Sequence, residues 1–310
     1  MNIVTKLGGA ALVVALVFGG AYGAGQAAGP LGAEPETTHG DRHPAASEAA
    51  QTGSDQLPAG GLLVSQDGYR LELVSGDATA GAPEEFAFRI LGSDGAPVTR
   101  FMPTHDKRMH LIVARRDLSG FQHVHPTMGA DGTWRIPMTF ETAGDYRAFA
   151  DFAPEGRSEA ITLGTDVAVS GSYTPAALPA PARTATVDGY TVRMDGDLVP
   201  GRTGKLTLTV SRDGRPVTDL QPHLAAYGHL VALRDGDLAY LHVHPDGVPG
   251  DGRTRPGPQI TFYAEVPSAG SYRLVVDFRH QDVVRTAAFT AAADPAGTSG
   301  AGEVGEHGGH

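Results

Sequence analysis

Met109-His110-Leu111-Ile112-Val113-Ala114-Arg115-Arg116-Asp117-Leu118-Ser119-Gly120-Phe121-Gln122-His123-Val124-His125-Pro126 reads as two strands folded about a turn. β-branched and apolar residues run up to Arg116, and Asp117 to Gly120 supply the turn chemistry. Pro126 ends the return strand, because proline has no N–H to give to a ladder. In an antiparallel pair the numbers of opposed residues add to a constant. With the turn centred between Asp117 and Leu118, His110 falls opposite His125, and His123 shares their face on the diagonal. Three imidazoles are thereby predicted on one side of one hairpin.

Moving outward, the same hairpin occurs a second time. His123-Val124-His125-Pro126 recurs as His242-Val243-His244-Pro245, and His110 recurs as His229 at the same thirteen-residue offset. A centre between Gly236 and Asp237 places His229 opposite His244, with His242 on their face. The duplication extends beyond the hairpin. Asp67-Gly68-Tyr69 matches Asp188-Gly189-Tyr190, Asp94 to Thr99 matches Asp213 to Thr218, and Ala143-Gly144-Asp145-Tyr146-Arg147 matches Ala269-Gly270-Ser271-Tyr272-Arg273. The order is conserved between the copies, with an insertion around Pro249 to Pro258 in the second.

Each copy alternates strand-like runs with turn signals, seven in about a hundred residues. The first set falls near 69–75, 84–91, 109–116, 120–125, 133–140, 144–152 and 157–167. The second falls near 189–195, 203–211, 228–234, 238–244, 259–266, 270–278 and 283–290. The expected fold class is all-β: two tandem immunoglobulin-like β-sandwiches at 62–172 and 185–292, joined by a Pro-rich semi-rigid linker at 173–184. Residues 1–23 carry Lys6 and the apolar stretch Leu7 to Phe18, which predicts an export signal or an N-terminal membrane anchor. A tether at 24–61 and a His-containing tail at 293–310 lack apolar periodicity and are expected to be disordered. The body is therefore expected outside the cytoplasm, secreted or tethered to the outer face of the membrane.

Composition narrows the chemistry. A formal charge of −11 with 24 scattered basic residues gives no footprint for nucleic acid. The absence of cysteine removes disulfides, thiolate zinc sites, iron–sulfur clusters and His₂Cys copper centres. Imidazole nitrogen remains, and it suits copper, zinc and nickel better than calcium. The expected metal ligands are His110, His123, His125, His229, His242 and His244, with His105, Met109 and His223 as weaker candidates. Copper is preferred and zinc is the alternative, since Met102 and Met109 beside His105 and His110 offer thioether with imidazole unless they are core filler. Asp151 and Asp277 are read as turn caps, or else as groups that orient a ligand imidazole. His280 has no partner in the first copy and is expected on the polar surface; His39, His43, His307 and His310 are expected to scavenge metal only loosely.

Residues 109–126 resemble the signature of the YtkA-like family of exported bacterial domains, and Gly228 to Pro245 follows it more loosely. The resemblance implies a small immunoglobulin-like sandwich outside the cytoplasm, associated with heavy-metal or copper handling. It singles out His110, His123 and His125 without assigning a reaction.

The expected function is extracytoplasmic copper binding for buffering, delivery or sensing, with no catalysis. A non-catalytic interaction module with structural histidines and an extracytoplasmic protein partner is the alternative; Arg253-Thr254-Arg255 in the insertion would be its contact. A zinc hydrolase with three histidines is weaker, because neither copy offers a His-Glu-x-x-His helix or an acidic residue fixed beside the trio.

Overall fold

The computed structural model describes residues 59–157, 159–241 and 243–294. The expected export segment, most of the tether, His242 and residues 295–310 of the expected tail lie outside them; Ala293, expected at the start of that tail, is instead buried at the end of the last strand, opposite Gly270. Every regular element among the described residues is a strand, and no helix there is long and apolar enough to cross a membrane.

The first repeat is a sandwich of two sheets. One runs Ser65–Gln66, Tyr69–Leu73, Pro83–Leu91, Thr133–Thr139, Thr127–Met128. The other runs Asp77–Thr79, Ile161–Ser170, Gly144–Pro154, His110–Arg115, Gln122–Val124. Alternating side chains fill the space between them, with Phe88, Ile90, Leu111, Val113, Trp134, Phe152 and Leu163 in the core. The second repeat has the same plan around Tyr190, Leu208, Leu230, Phe262, Leu274 and Phe278. Its sheets run Thr184–Val187, Tyr190–Asp195, Arg202–Arg212, Gln259–Val266, Val243–Pro245 and Tyr240–Leu241, Gly228–Arg234, Gly270–His280, Val283–Ala293. The chain is thus two tandem immunoglobulin-like sandwiches.

The strands that carry the first histidines are apolar on both faces, and the reason is the second layer they meet. Leu111 and Val113 point into their own sandwich, while Ile112 and Ala114 join Val231 and Leu233 of the second repeat in a separate buried cluster. Leu230 and Ala232 point into the second core. A strand covered on both sides loses the alternation of a solvent-facing one. Leu118 and Leu238 complete this seam from matched turns, each at positive φ (64° and 59°) and each buried. Non-glycine residues rarely adopt that conformation, and burial of the two leucines offsets its cost.

Two connecting segments are less loose than composition predicts. Gly60 and Gly61, expected in the tether, are bonded into both sandwiches: Tyr240 N donates to Gly60 O at 2.9 Å and Gly61 N donates to Thr162 O at 2.9 Å. The guanidinium of Arg147 then holds the carbonyls of Gly61 and Leu62. The Pro-rich linker is docked rather than a free spacer. Ala176 N donates to Asp117, Tyr173 lies beneath Arg115, and Leu178 packs on the seam. Backbone polar groups and apolar side chains found partners there that local composition does not show.

Candidate metal centre

The first hairpin pairs Leu111 with Val124, Ile112 with His123 and Val113 with Gln122. Each pair has the sum that the turn centre assigned, so the direction of the strands carries His110 toward His125. His110, Ile112 and Ala114 all lie on the face turned away from the first core, so the histidines open onto the seam and not onto bulk solvent.

There the three rings converge. Nδ1 of His110 lies 3.1 Å from Nε2 of His123 and 3.1 Å from Nε2 of His125. One ligand nitrogen from each of the three falls within 4.8 Å of the others. Two nitrogens each about 2.05 Å from one ion stand about 2.9–3.4 Å apart when their bonds open by about 90–110°. The separations to His110 are therefore those of ligands around a common ion.

The outer hydrogen bonds set which nitrogens are bare. His110 Nε2 sits 2.9 Å from the Thr104 carbonyl, which only accepts, so Nε2 carries the proton and Nδ1 keeps its lone pair. His123 Nδ1 lies 3.2 Å from Oδ2 of Asp277, which leaves Nε2 bare in the neutral ring. In that tautomer two lone pairs face each other at 3.1 Å, an arrangement that a cation between them would relieve.

Burial favours the neutral form of His110 and His125. It lowers His110 to about 4 and His125 to about 3, with neighbouring histidines pushing the same way and the Thr104 carbonyl opposing at His110. His229 is lowered to about 4, again by burial first. His105 and His223, at the more open rim, are lowered as well, by desolvation first. Neutral imidazole is the form that can bind a metal, so His110 and His125 would need to shed no proton near neutral pH to do so.

The second repeat departs from the predicted trio. Its ladder begins in the expected register, with Ala232 opposite Leu241 and Leu233 opposite Tyr240, but it stops there. Val243–Pro245 crosses to the other sheet, where His244 pairs with Tyr263. His244 is therefore not opposite His229, which corrects the expectation. The cause lies at the sheet edge: the free edge of Gln259–Val266 captures the strand before it reaches His244, whereas in the first repeat the crossing waits until Thr127–Met128. His229 nevertheless repeats the anchoring of His110, with Nε2 2.9 Å from the His223 carbonyl and 3.0 Å from that of Leu224. Its ring faces His105 of the first repeat, with centroids 5.2 Å apart, and His223 at 6.1 Å. His223 and His229 of the second copy thus gather along one seam with His105, His110, His123 and His125 of the first.

Other candidates fall elsewhere. Met109 is fully buried in the core of the first sandwich, so its thioether is turned away from the trio, and Met102 is exposed. His280 is buried and not on the surface, held between the Tyr190 hydroxyl at 2.6 Å and Asp219 at 3.0 Å. Asp151 accepts from Thr162 at 3.4 Å and is pushed up to about 6 by burial. Sequence reasoning placed neither the Thr104 carbonyl nor the passage of Asp277 across the seam; the matched turns at 104–107 and 223–226 were the available signal for the first.

Fold and site together define a tandem immunoglobulin-like protein with a histidine centre between its sandwiches. The chain belongs to the family described as a domain of unknown function, DUF8832, whose model matches it twice, at residues 64–169 and 185–295. No curated protein matches it. Among solved structures it is similar to FdeC, an Escherichia coli adhesin, at 14% identity over 77% of this chain and 66% of that one, with a TM-score of 0.23. It is also similar to a Salmonella alpha-2-macroglobulin mutant at 14% identity over 77% of this chain and 16% of that one, with a TM-score of 0.26. Invasin, a bacterial integrin-binding protein, matches at 14% identity over 74% of this chain and 40% of that one, with a TM-score of 0.21. The chain thus spans less than two thirds of each of these proteins.

Proposed function

We propose that this chain binds one transition-metal ion, copper ahead of zinc, through His110, His123 and His125, and acts outside the cytoplasm in buffering, delivery or sensing. The observation that carries this reading is the meeting of Nδ1 of His110 with the Nε2 atoms of His123 and His125, each at 3.1 Å. With the methionines turned elsewhere, the preference for copper rests on imidazole ligands and on the higher affinity of nitrogen sites for copper(II) than for zinc. The location rests on the apolar segment Leu7 to Phe18. A hydrolase is less well supported: Asp277, the carboxylate hydrogen-bonded to the trio among the described residues, is committed to His123 and Thr286.

The test is metal analysis of the purified chain after exposure to copper, zinc and nickel, beside a His123→Ala/His125→Ala variant. One retained ion per chain, lost in the variant while the fold persists, is the expected result. Equal metal content in the two proteins would sink the proposal.

A second reading, an interaction module, is favoured by a different observation. The insertion of the second repeat walls a hollow of about 850 Å³ lined by Asp251, Arg253, Thr254 and Arg255 against Tyr227 and Thr218. A chain that retains no metal would leave this surface as the place to look for a protein partner.

A further inference from the structure

Asp277 belongs to the second sandwich, where it stands opposite His229 in its own ladder. Its Oδ2 nevertheless meets Nδ1 of His123 in the first sandwich, 154 positions away in sequence. The two side chains are 11% and 6% exposed, so the contact is largely shielded from water. The other oxygen, Oδ1, accepts from the Thr286 hydroxyl at 2.6 Å. Thr286 thus fixes the carboxylate in its own strand pair and leaves Oδ2 to reach across the seam.

A neutral imidazole has one N–H, and the partner of that N–H decides which nitrogen is left to bind metal. From this we infer that Asp277 is a positioning residue for a metal centre whose ligands all come from the other repeat. It accepts the Nδ1 proton of His123, holds that ring in the tautomer with a bare Nε2, and aims Nε2 at the point shared with His110 and His125. The inference rests on the metal-binding reading above and deepens it. The first repeat holds three ligands, yet one of the groups that orients them is supplied by the second. Ion affinity therefore depends on the two sandwiches being docked, which gives the duplication a use beyond doubling a site.

A purely structural role for Asp277, as the acceptor for Thr286, accounts for Oδ1 and leaves the contact of Oδ2 with His123 unexplained. Two variants of the full-length chain separate the cases. Asp277→Asn keeps an oxygen for Thr286 but presents an NH₂ group to His123, which drives that ring toward the tautomer with its proton on Nε2. Thr286→Val removes the other hydrogen bond and leaves the carboxylate.

Copper(II) and zinc(II) are titrated in turn into each protein against a competing chelator, and the tautomer of His123 is read from ¹⁵N NMR of the metal-free chain. The expected result is a roughly 10–100-fold loss of affinity in Asp277→Asn with Nε2 protonated, and near-native affinity with Nδ1 protonated in Thr286→Val. Unchanged affinity and tautomer in Asp277→Asn would overturn the inference, as would equal losses in both variants. Because the tautomer is read without metal, a wild-type chain that binds no ion would sink the metal reading, while the NMR result still decides whether Asp277 positions His123.

Discussion

His244 stands opposite Tyr263, in a different sheet from the one that carries His229. Among the described residues the duplicated motif therefore does not bring His244 opposite His229 as His125 stands toward His110. His125→Ala is expected to lower affinity by more than the roughly 10–100-fold that loss of an outer partner costs, and His244→Ala is expected to leave it near native. Chelator competition on the two variants checks this; equal losses would show that both copies hold metal alike.

The buried histidines predict how stability follows pH. His110, His125 and His229 have folded values of about 4, 3 and 4 against an ordinary 6.5, chiefly because burial penalises the charged ring. As pH falls the unfolded chain takes up these protons first, so the stability present above 6.5 is lost progressively between there and about 3 to 4. Asp151 acts in the opposite sense. Burial raises it from 3.8 to about 6, so the folded chain binds that proton first and gains stability as pH falls across this window. With His105 and His223 lowered as well, five rings act against one raised carboxyl and the net is a loss. The thermal midpoint of the metal-free chain should be lower at pH 4.5 than at 7.5, and a midpoint that holds or rises would contradict the argument.

The seam has its own energetic test. Phe149 is fully buried, and it packs on the seam with Ile112, Val231 and Leu238. Phe149→Ala should cost about 3–5 kcal/mol, the usual penalty for emptying a buried aromatic site that cannot collapse. Urea unfolding measures it. A cost below about 1 kcal/mol would mean that the seam contributes little to stability.

Gly164 tests the lead-in segment. A Cβ there would overlap the Gly61 carbonyl and crowd Nε of Arg147 at 2.8 Å, both parts of the clamp that holds residues 61–62. Gly164→Ala should lower stability by about 1–3 kcal/mol and expose the Leu62-Leu63 region to proteolysis. Native protease resistance would show that the clamp yields without strain.

Much of this was legible in the chain itself. The matched motifs announced two copies, the alternation of strands and turns gave the sandwich class, and the turn after Arg116 fixed the hairpin register, since opposed numbers must sum to a constant. The same arithmetic set the start of the second hairpin but could not show where its strand would leave the sheet. That exit is decided by competition between two sheet edges for the same backbone groups, and one of those edges lies beyond a ten-residue insertion.

The sequence alone determined the repeats, the strand-rich class and the face shared by His110, His123 and His125. Only the tertiary structure decided what that face meets. Strands buried on both sides look alike whether the second cover is their own sandwich or a neighbour, so the continuous apolar run Leu111 to Ala114 could not say that it would lie on Val231 and Leu233. Docking of the repeats then brought Asp277 to His123 and His105 to His229, contacts between residues more than a hundred positions apart that no local pattern encodes.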